Sequence, residues 1–168
     1  IDTLAFKGCN NLKELLFEEG GTEDLIIGDS AFQSCKAITN VVLPERTKRI
    51  GNNAFANDSA LVSITLNNGL EIIGNSTFER SGLKFITIPY TVQKIGSAAF
   101  LGSLLEEVVF AETPVKDANG NAVTRVPLAF EMAKTYKNNE VFVPNGNGAF
   151  SACVELKRVV LPERLEYI

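Results

Sequence analysis

Three cysteines, several adjacent carboxylates and no histidine define what this chain of 168 residues can do chemically. Without histidine neither a Ser-His-Asp triad nor a Cys-His pair can be assembled. Cys9, Cys35 and Cys153 cannot recruit an imidazole to complete a tetrahedral metal set, and Cys153 lies far along the chain from the other two. Paired carboxylates remain, with Glu18 and Glu19 or Glu106 and Glu107 as candidates for glycosidase chemistry. Adjacent residues on a strand point to opposite faces, so neither pair converges on a substrate. Glu18, Glu19, Glu23 and Asp24, interrupted by Gly20-Gly21, read as a solvated acidic loop. Asp117-Ala118-Asn119-Gly120-Asn121 resembles a calcium loop only superficially, because Ala122 stands at the glycine place and the closing glutamate is missing. A tight Asn-Gly reversal is expected there instead. No catalytic residue, metal ligand or cofactor is assigned.

The elements that carry these residues are repeats. Ala5-Phe6 leads to Cys9, Leu12, Leu15 and Phe17, and Ala31-Phe32 to Cys35, Ile38, Val41, Leu43 and Pro44. Ala54-Phe55 leads to Leu61, Ile64 and Leu66, and Thr77-Phe78 to Leu83, Ile86, Ile88 and Pro89. Ala99-Phe100 leads to Leu105, Val108 and Phe110, and Ala149-Phe150 to Cys153, Leu156, Val159, Leu161 and Pro162. A second apolar pair follows each strand: Val92 with Ile95-Gly96, Leu70 with Ile73-Gly74, and a weakened Thr47 with Ile50-Gly51. Self-similarity on this scale signals a solenoid of about six or seven coils. Each coil has too few inward side chains to close a core alone, so stability comes from stacking on neighbours. Alternation in Val41-Val42-Leu43 and Ile86-Thr87-Ile88 suits strands, which would pair in parallel at about 4.8 Å per coil.

The three cysteines share one column, three residues after the phenylalanine, where other coils hold Asp58, Ser81 and Ser103. Thiols there are expected to pack as small hydrophobes. Cys9 and Cys35 belong to adjacent coils, which leaves a disulfide between them open. A lone carboxylate in such a column is costly, so Asp58 is expected either to be accessible or to cap a local turn.

Between Ala111 and Gly148 the rhythm breaks. Ala129-Phe130 reads as a degenerate coil start, with Ala133 in the cysteine place and Val141-Phe142-Val143-Pro144 as its strand. Pro127 is suited to open a short helix carrying Leu128, Met132 and Tyr136 on one face. Segment 111–148 is therefore expected to be an irregular enlarged coil or insertion within a single solenoid spanning 1–168. Ile1 and Ile168 share the phase of Ile50, and no polar capping coil is seen, so the chain reads as a piece of a longer array.

Composition limits the partners. A net charge of -4 argues against nucleic acid, whose phosphates need a basic surface. Arg46, Lys48 and Arg49 read as the solvated edge of one coil. No run of about 18 apolar residues exists to span a membrane as a helix. Asn57-Asp58-Ser59 and Asn75-Ser76-Thr77 match the glycosylation acceptor pattern, which matters only in a host that uses it.

The unit Ala-Phe-x-x-Cys-x-x-Leu-x-x-Ile-x-Leu-Pro resembles the leucine-rich repeats of BspA-like proteins, best known as bacterial surface proteins. The likeness covers most of the chain. It implies an α/β leucine-rich-repeat solenoid with a stacked parallel β-sheet, short strands, and irregular or short helical connections. It also implies a cell-surface or secreted location and a role in adhesion and host interaction. The commoner leucine-rich repeat places Asn or Cys three residues after the strand leucine. Here Gly20, Arg46, Gly69, Thr91 and Arg164 stand there. The usual asparagine ladder is thus expected to be missing, with the phenylalanine and cysteine columns packing in its stead.

If the consensus residues point inward, those between them point out. Leu16, Val42, Thr65, Thr87, Val109 and Val160 form one outward column. Glu14, Asn40, Ser63, Phe85, Glu107 and Arg158 run beside it. An apolar stripe with a polar border suits protein binding, and Phe85 is its aromatic anchor. Strand propensity alone would give the same β-branched column. Three functions stay open: a module binding a host-matrix or other surface protein through Leu16, Val42, Thr65, Phe85, Thr87, Val109 and Val160; a structural spacer; and a carbohydrate-active solenoid enzyme.

Overall fold

Short β-branched runs punctuated by turns leave each coil with two brief strands instead of one strand and a helix. A computed structural model describes residues 1–18, 20–112 and 148–162, and the backbone of strands within 129–142. The strands are β1 (Leu25–Ile27), β2 (Asn40–Val42), β3 (Thr47–Ile50), β4 (Ser63–Thr65), β5 (Ile72–Ile73) and β6 (Phe85–Ile88). They continue as β7 (Lys94–Ile95), β8 (Glu107–Phe110), β9 (Ala129–Phe130), β10 (Thr135–Lys137), β11 (Glu140–Phe142) and β12 (Arg158–Val160). Among the described residues there is no helix, and turns make the connections.

Two parallel ladders run along the stack. The expected one holds β2 against β4, and β6 against β8 and then β12, with Val42 opposite Thr65 and Val109 opposite both Thr87 and Val160. The other, in the order β1-β3-β5-β7-β9, is formed by the second apolar pairs, which the sequence marks but does not announce as strands. Thr47 fills the weakened place by donating its hydroxyl to the Pro44 carbonyl at 2.8 Å, so its burial leaves no orphan.

Between the ladders lies a largely apolar interior. Phe6, Phe32, Phe55, Phe78, Phe100 and Phe150 stack face over face, with successive centroids 5.0 to 5.8 Å apart. Ile27, Ile50, Ile73 and Ile95 form a second buried column, and Val41, Ile64, Ile86 and Val108 a third.

A ladder of polar side chains does form, at a place other than the usual one. Asp29 accepts the Asn52 N–H at 2.8 Å, Asn52 accepts that of Asn75 at 2.8 Å, and Asn75 accepts that of Ser97 at 2.9 Å. Each follows the glycine of an Ile-Gly-Asx triplet, forming a ladder beside the phenylalanine and cysteine columns that the sequence reading does not include. The glycine is demanded by contact. A Cβ on Gly51 would lie 2.7 Å from the backbone of Asp29, and one on Gly74 2.7 Å from that of Asn52.

The turn around each phenylalanine needs a left-handed residue before and after it. Ser30, Asn53, Ser76 and Ala98 precede it at φ between 50° and 56°. Gly8, Ser34, Asn57, Arg80, Gly102 and Ala152 follow it at φ between 52° and 77°. A side chain there costs about 1–2 kcal/mol unless it is glycine or a short Asx. Arg80→Gly is therefore expected to raise stability by about 0.5–1 kcal/mol, measured by urea denaturation, after the entropy of the added glycine is subtracted. An unchanged or lower midpoint would mean that the turn carries no strain.

Within segment 111–148 the expected coil start, strand and helix are not found. Phe150 stacks on Phe100 at 5.0 Å, and Phe100 N–H donates to the Ala149 carbonyl, so the coil beginning at Ala149 sits directly on the one beginning at Ala99. Ala129–Phe130 is no coil start; it extends the second ladder beside Lys94–Ile95. Val141-Phe142 pairs antiparallel with Thr135–Tyr136 instead of joining the stack. With Ala129–Phe130 and Thr135–Lys137 both strands, the helix expected to carry Leu128, Met132 and Tyr136 is not formed there. The Asp117–Asn121 turn, Pro127, Leu128, Met132, Ala133, Glu19, Arg164 and Ile168 lie outside the described residues.

Candidate functional site: the exposed face of the repeat sheet

Alternation along the short strands turns consensus residues into the core and those between them toward solvent, except in β12, where the consensus Val159 is itself 39% exposed. Val41 and Ile64 are buried, while Asn40, Val42, Ser63 and Thr65 are exposed. Parallel register then lines up equivalent side chains. Asn40 stands opposite Ser63, whose hydroxyl donates to its side-chain oxygen at 2.7 Å, and Phe85 stands opposite Glu107. The proposed stripe residues all lie on this face. Leu16 is 83% exposed, Val42 64% and Phe85 57%. Thr65 and Thr87 are exposed, and Val109 and Val160 are half-buried. Two shallow grooves flank the stripe. One runs between Leu16 and Val42 beside Phe17 and Pro44, and the other between Thr65, Phe85, Thr87 and Val109.

This face is not one continuous ladder. Val62 and Ser63 both donate to the Thr39 carbonyl, Glu106 and Glu107 to that of Lys84, and Lys157 and Arg158 to that of Glu106. No such pair joins the coil of Phe78 to that of Phe55, so β4 and β6 lie in separate ladders. A change of length coincides with the break: Asp58-Ser59-Ala60-Leu61 in one coil becomes Ser81-Gly82-Leu83 in the next. The second groove opens over this seam.

The polar border is made of ion pairs between coils. Glu106 meets Lys157 at 2.9 Å, and Glu107 meets Arg158. The Lys157 hydrogen bond and charge hold the Glu106 carboxyl below its ordinary range. That opposes the raised value a general acid needs. The basic cluster is likewise engaged, with Lys48 at 3.3 Å from Glu71, Arg49 at 3.8 Å from Asp29, and Arg46 donating to the Glu23 carbonyl at 3.0 Å.

The cysteine column does more than pack. All three thiols are free. Cys35 donates to the Phe6 carbonyl at 3.0 Å, and Cys153 to the Phe100 carbonyl at 3.1 Å, so each caps the turn of the preceding coil. Burial pushes Cys35 up to about 11 and raises Cys153 as well, which keeps both protonated and poorly nucleophilic. At the Asn75-Ser76-Thr77 acceptor pattern the threonine is buried, donating to the Gly74 and Gly51 carbonyls at 2.8 and 3.1 Å.

A family model for the BspA type leucine rich repeat region matches residues 1–106, in six copies. The chain belongs to that family. No curated protein matches the BspA-type chain. It is similar in structure to a leucine-rich repeat protein from Bacteroides ovatus, with 28% identity, a TM-score of 0.59, and 84% of this chain covered. It also shares its fold with a leucine rich cell surface protein from Faecalibacterium prausnitzii, at 23% identity, a TM-score of 0.56 and the same 84% coverage. The BspA-type chain spans 30% of the length of each of these proteins. Among its described residues, no helix is long and apolar enough to cross a membrane.

Proposed function

We propose that this BspA-type array is a non-enzymatic module of a bacterial surface protein, binding another protein through the face carrying Leu16, Val42, Thr65, Phe85, Thr87, Val109 and Val160. The observation that carries the reading is the exposure of Leu16 and Phe85, at 83% and 57%. Strand propensity accounts for exposed valine and threonine and for part of the preference at Phe85, but an outward leucine gains little from it, and the two large apolar side chains lie in neighbouring columns of the same face. Apolar anchors bordered by paired charges are what a protein interface uses. The surface location is supported by the likeness to a leucine rich cell surface protein of F. prausnitzii.

Phe85→Asp combined with Val109→Asp tests it. Attachment of the chain to an immobilised panel of purified extracellular-matrix proteins is expected to fall at least about tenfold, while the melting temperature stays within about 2 °C. Equal attachment by the wild type and the double variant would favour a spacer instead.

A further inference from the structure

Asp58 stands in the cysteine column, between Cys35 of the preceding coil and Ser81 of the following one, and is 0% exposed. Its Oδ1 accepts the Cys35 N–H at 2.8 Å. Its Oδ2 meets no donor, and the buried Ser81 hydroxyl has no partner either. Gly82 closes over the site, donating its N–H to the Asp58 carbonyl at 3.2 Å. The fit there is tight, since a Cβ on Gly82 would lie 2.4 Å from the Ser59 carbonyl oxygen.

No described cation offsets the carboxylate. The titratable groups facing it from the preceding coils are the Cys35 thiol and, beyond it, Cys9. On the following coil Ser81 is uncharged, and neighbouring Arg80 turns outward, 69% exposed, to meet Glu79 at 3.4 Å. A buried carboxylate with one satisfied oxygen is costly, whereas the neutral acid is far less so. The junction on the Ser81 side of Asp58 lacks the sheet-face ladder between β4 and β6, so fewer backbone bonds hold that side shut.

We propose that Asp58 makes the stack on either side of the coil of Phe55 a pH-dependent joint, closed while the carboxyl is protonated and loosened once it ionises. Burial pushes the Asp58 carboxyl up to about 7, against the opposing pull of the Cys35 and Ser34 N–H groups. The unfolded chain releases this proton near pH 3.9 (about the free value), so between about pH 4 and 7 the folded form binds more protons than the unfolded. The resulting stabilisation is complete below about pH 4 and is lost as pH rises to about 7.

The test follows the 168-residue chain by carboxyl carbon NMR, amide exchange and thermal melting from pH 4.5 to 8.5. The Asp58 resonance is expected to titrate near 7. Protection of the Cys35 and Gly82 amides should drop at least about tenfold from pH 5 to 8, and the melting temperature should fall by about 5–10 °C. Asp58→Ser, which copies the next coil, and Asp58→Asn, which keeps the acceptor oxygen, should each remove most of that pH dependence. A midpoint below about 5 would overturn the proposal. So would a wild-type melting profile reproduced by either variant, or amide protection that stays constant while the carboxyl titrates.

Discussion

Truncating Phe55 to alanine is expected to cost about 3–5 kcal/mol, the full range for a buried ring in a core that cannot collapse around the void. Phe55 stacks on Phe32 at 5.2 Å and on Phe78 at 5.8 Å, so its loss removes contacts on both sides. In a stack whose stability is a sum of coils and their interfaces, that damage falls on two interfaces at once. Phe78→Ala should behave alike. Phe6→Ala serves as the comparison, because Phe6 is 42% exposed and, among the described residues, stacks on Phe32 alone. Its cost should stay below about 2 kcal/mol. Equal urea midpoints for Phe55→Ala and Phe6→Ala would show that the column does not carry the fold.

The second large effect comes from adding a single methyl group. In Gly74→Ala the new Cβ would lie 2.7 Å from Asn52 N and from the Gly51 carbonyl carbon, and backbone cannot swing aside as a side-chain tip can. The coils must separate, loosening the Asn75-to-Asn52 hydrogen bond at 2.8 Å along with the ring contacts beside it. A loss of about 2–4 kcal/mol is expected in chemical denaturation. Gly102→Ala separates this steric cause from a conformational one. The nearest atom to its Cβ would be Arg80 Cγ at 3.6 Å, but its φ is +64°, so about 1 kcal/mol should be lost through backbone strain alone. Comparable losses for the two variants would refute contact as the reason for the Ile-Gly-Asx glycines.

Much of this architecture could be read from the phenylalanine and strand spacings, because a side chain that recurs in phase must fill the same place in every coil. Outward residues followed from the same phase, since alternation leaves a strand no other way to bury Val41 or Ile86. The second ladder was less visible. Its strands are two to four residues long from β3 onward, too short for alternation to declare itself. The Asx ladder is not signalled at the place after the strand leucine, where the commoner repeat carries its asparagine. The recurring Ile-Gly-Asx triplets at Asp29, Asn52 and Asn75 were the available signal. Asp58 was legible as two alternatives, and the structure joins burial to turn capping through the Cys35 N–H. For Ala129–Phe130 the dipeptide misled. It matches a coil start in composition, but Phe100 already has Phe150 as its neighbour, which leaves no room for another ring between them.

The return of the chain at Ala149, directly above Ala99, has a further consequence. The stack resumes in register after the excursion, so beyond the β9 strand that the excursion lends to the second ladder, its geometry tolerates differing lengths of polypeptide at that point. Closing a longer excursion costs little more than closing a short one, about 0.6 kcal/mol for each doubling of length. This junction is therefore where such an array can diversify its outline, acquiring or shedding whole segments by recombination while the coils on either side keep their mutual fit.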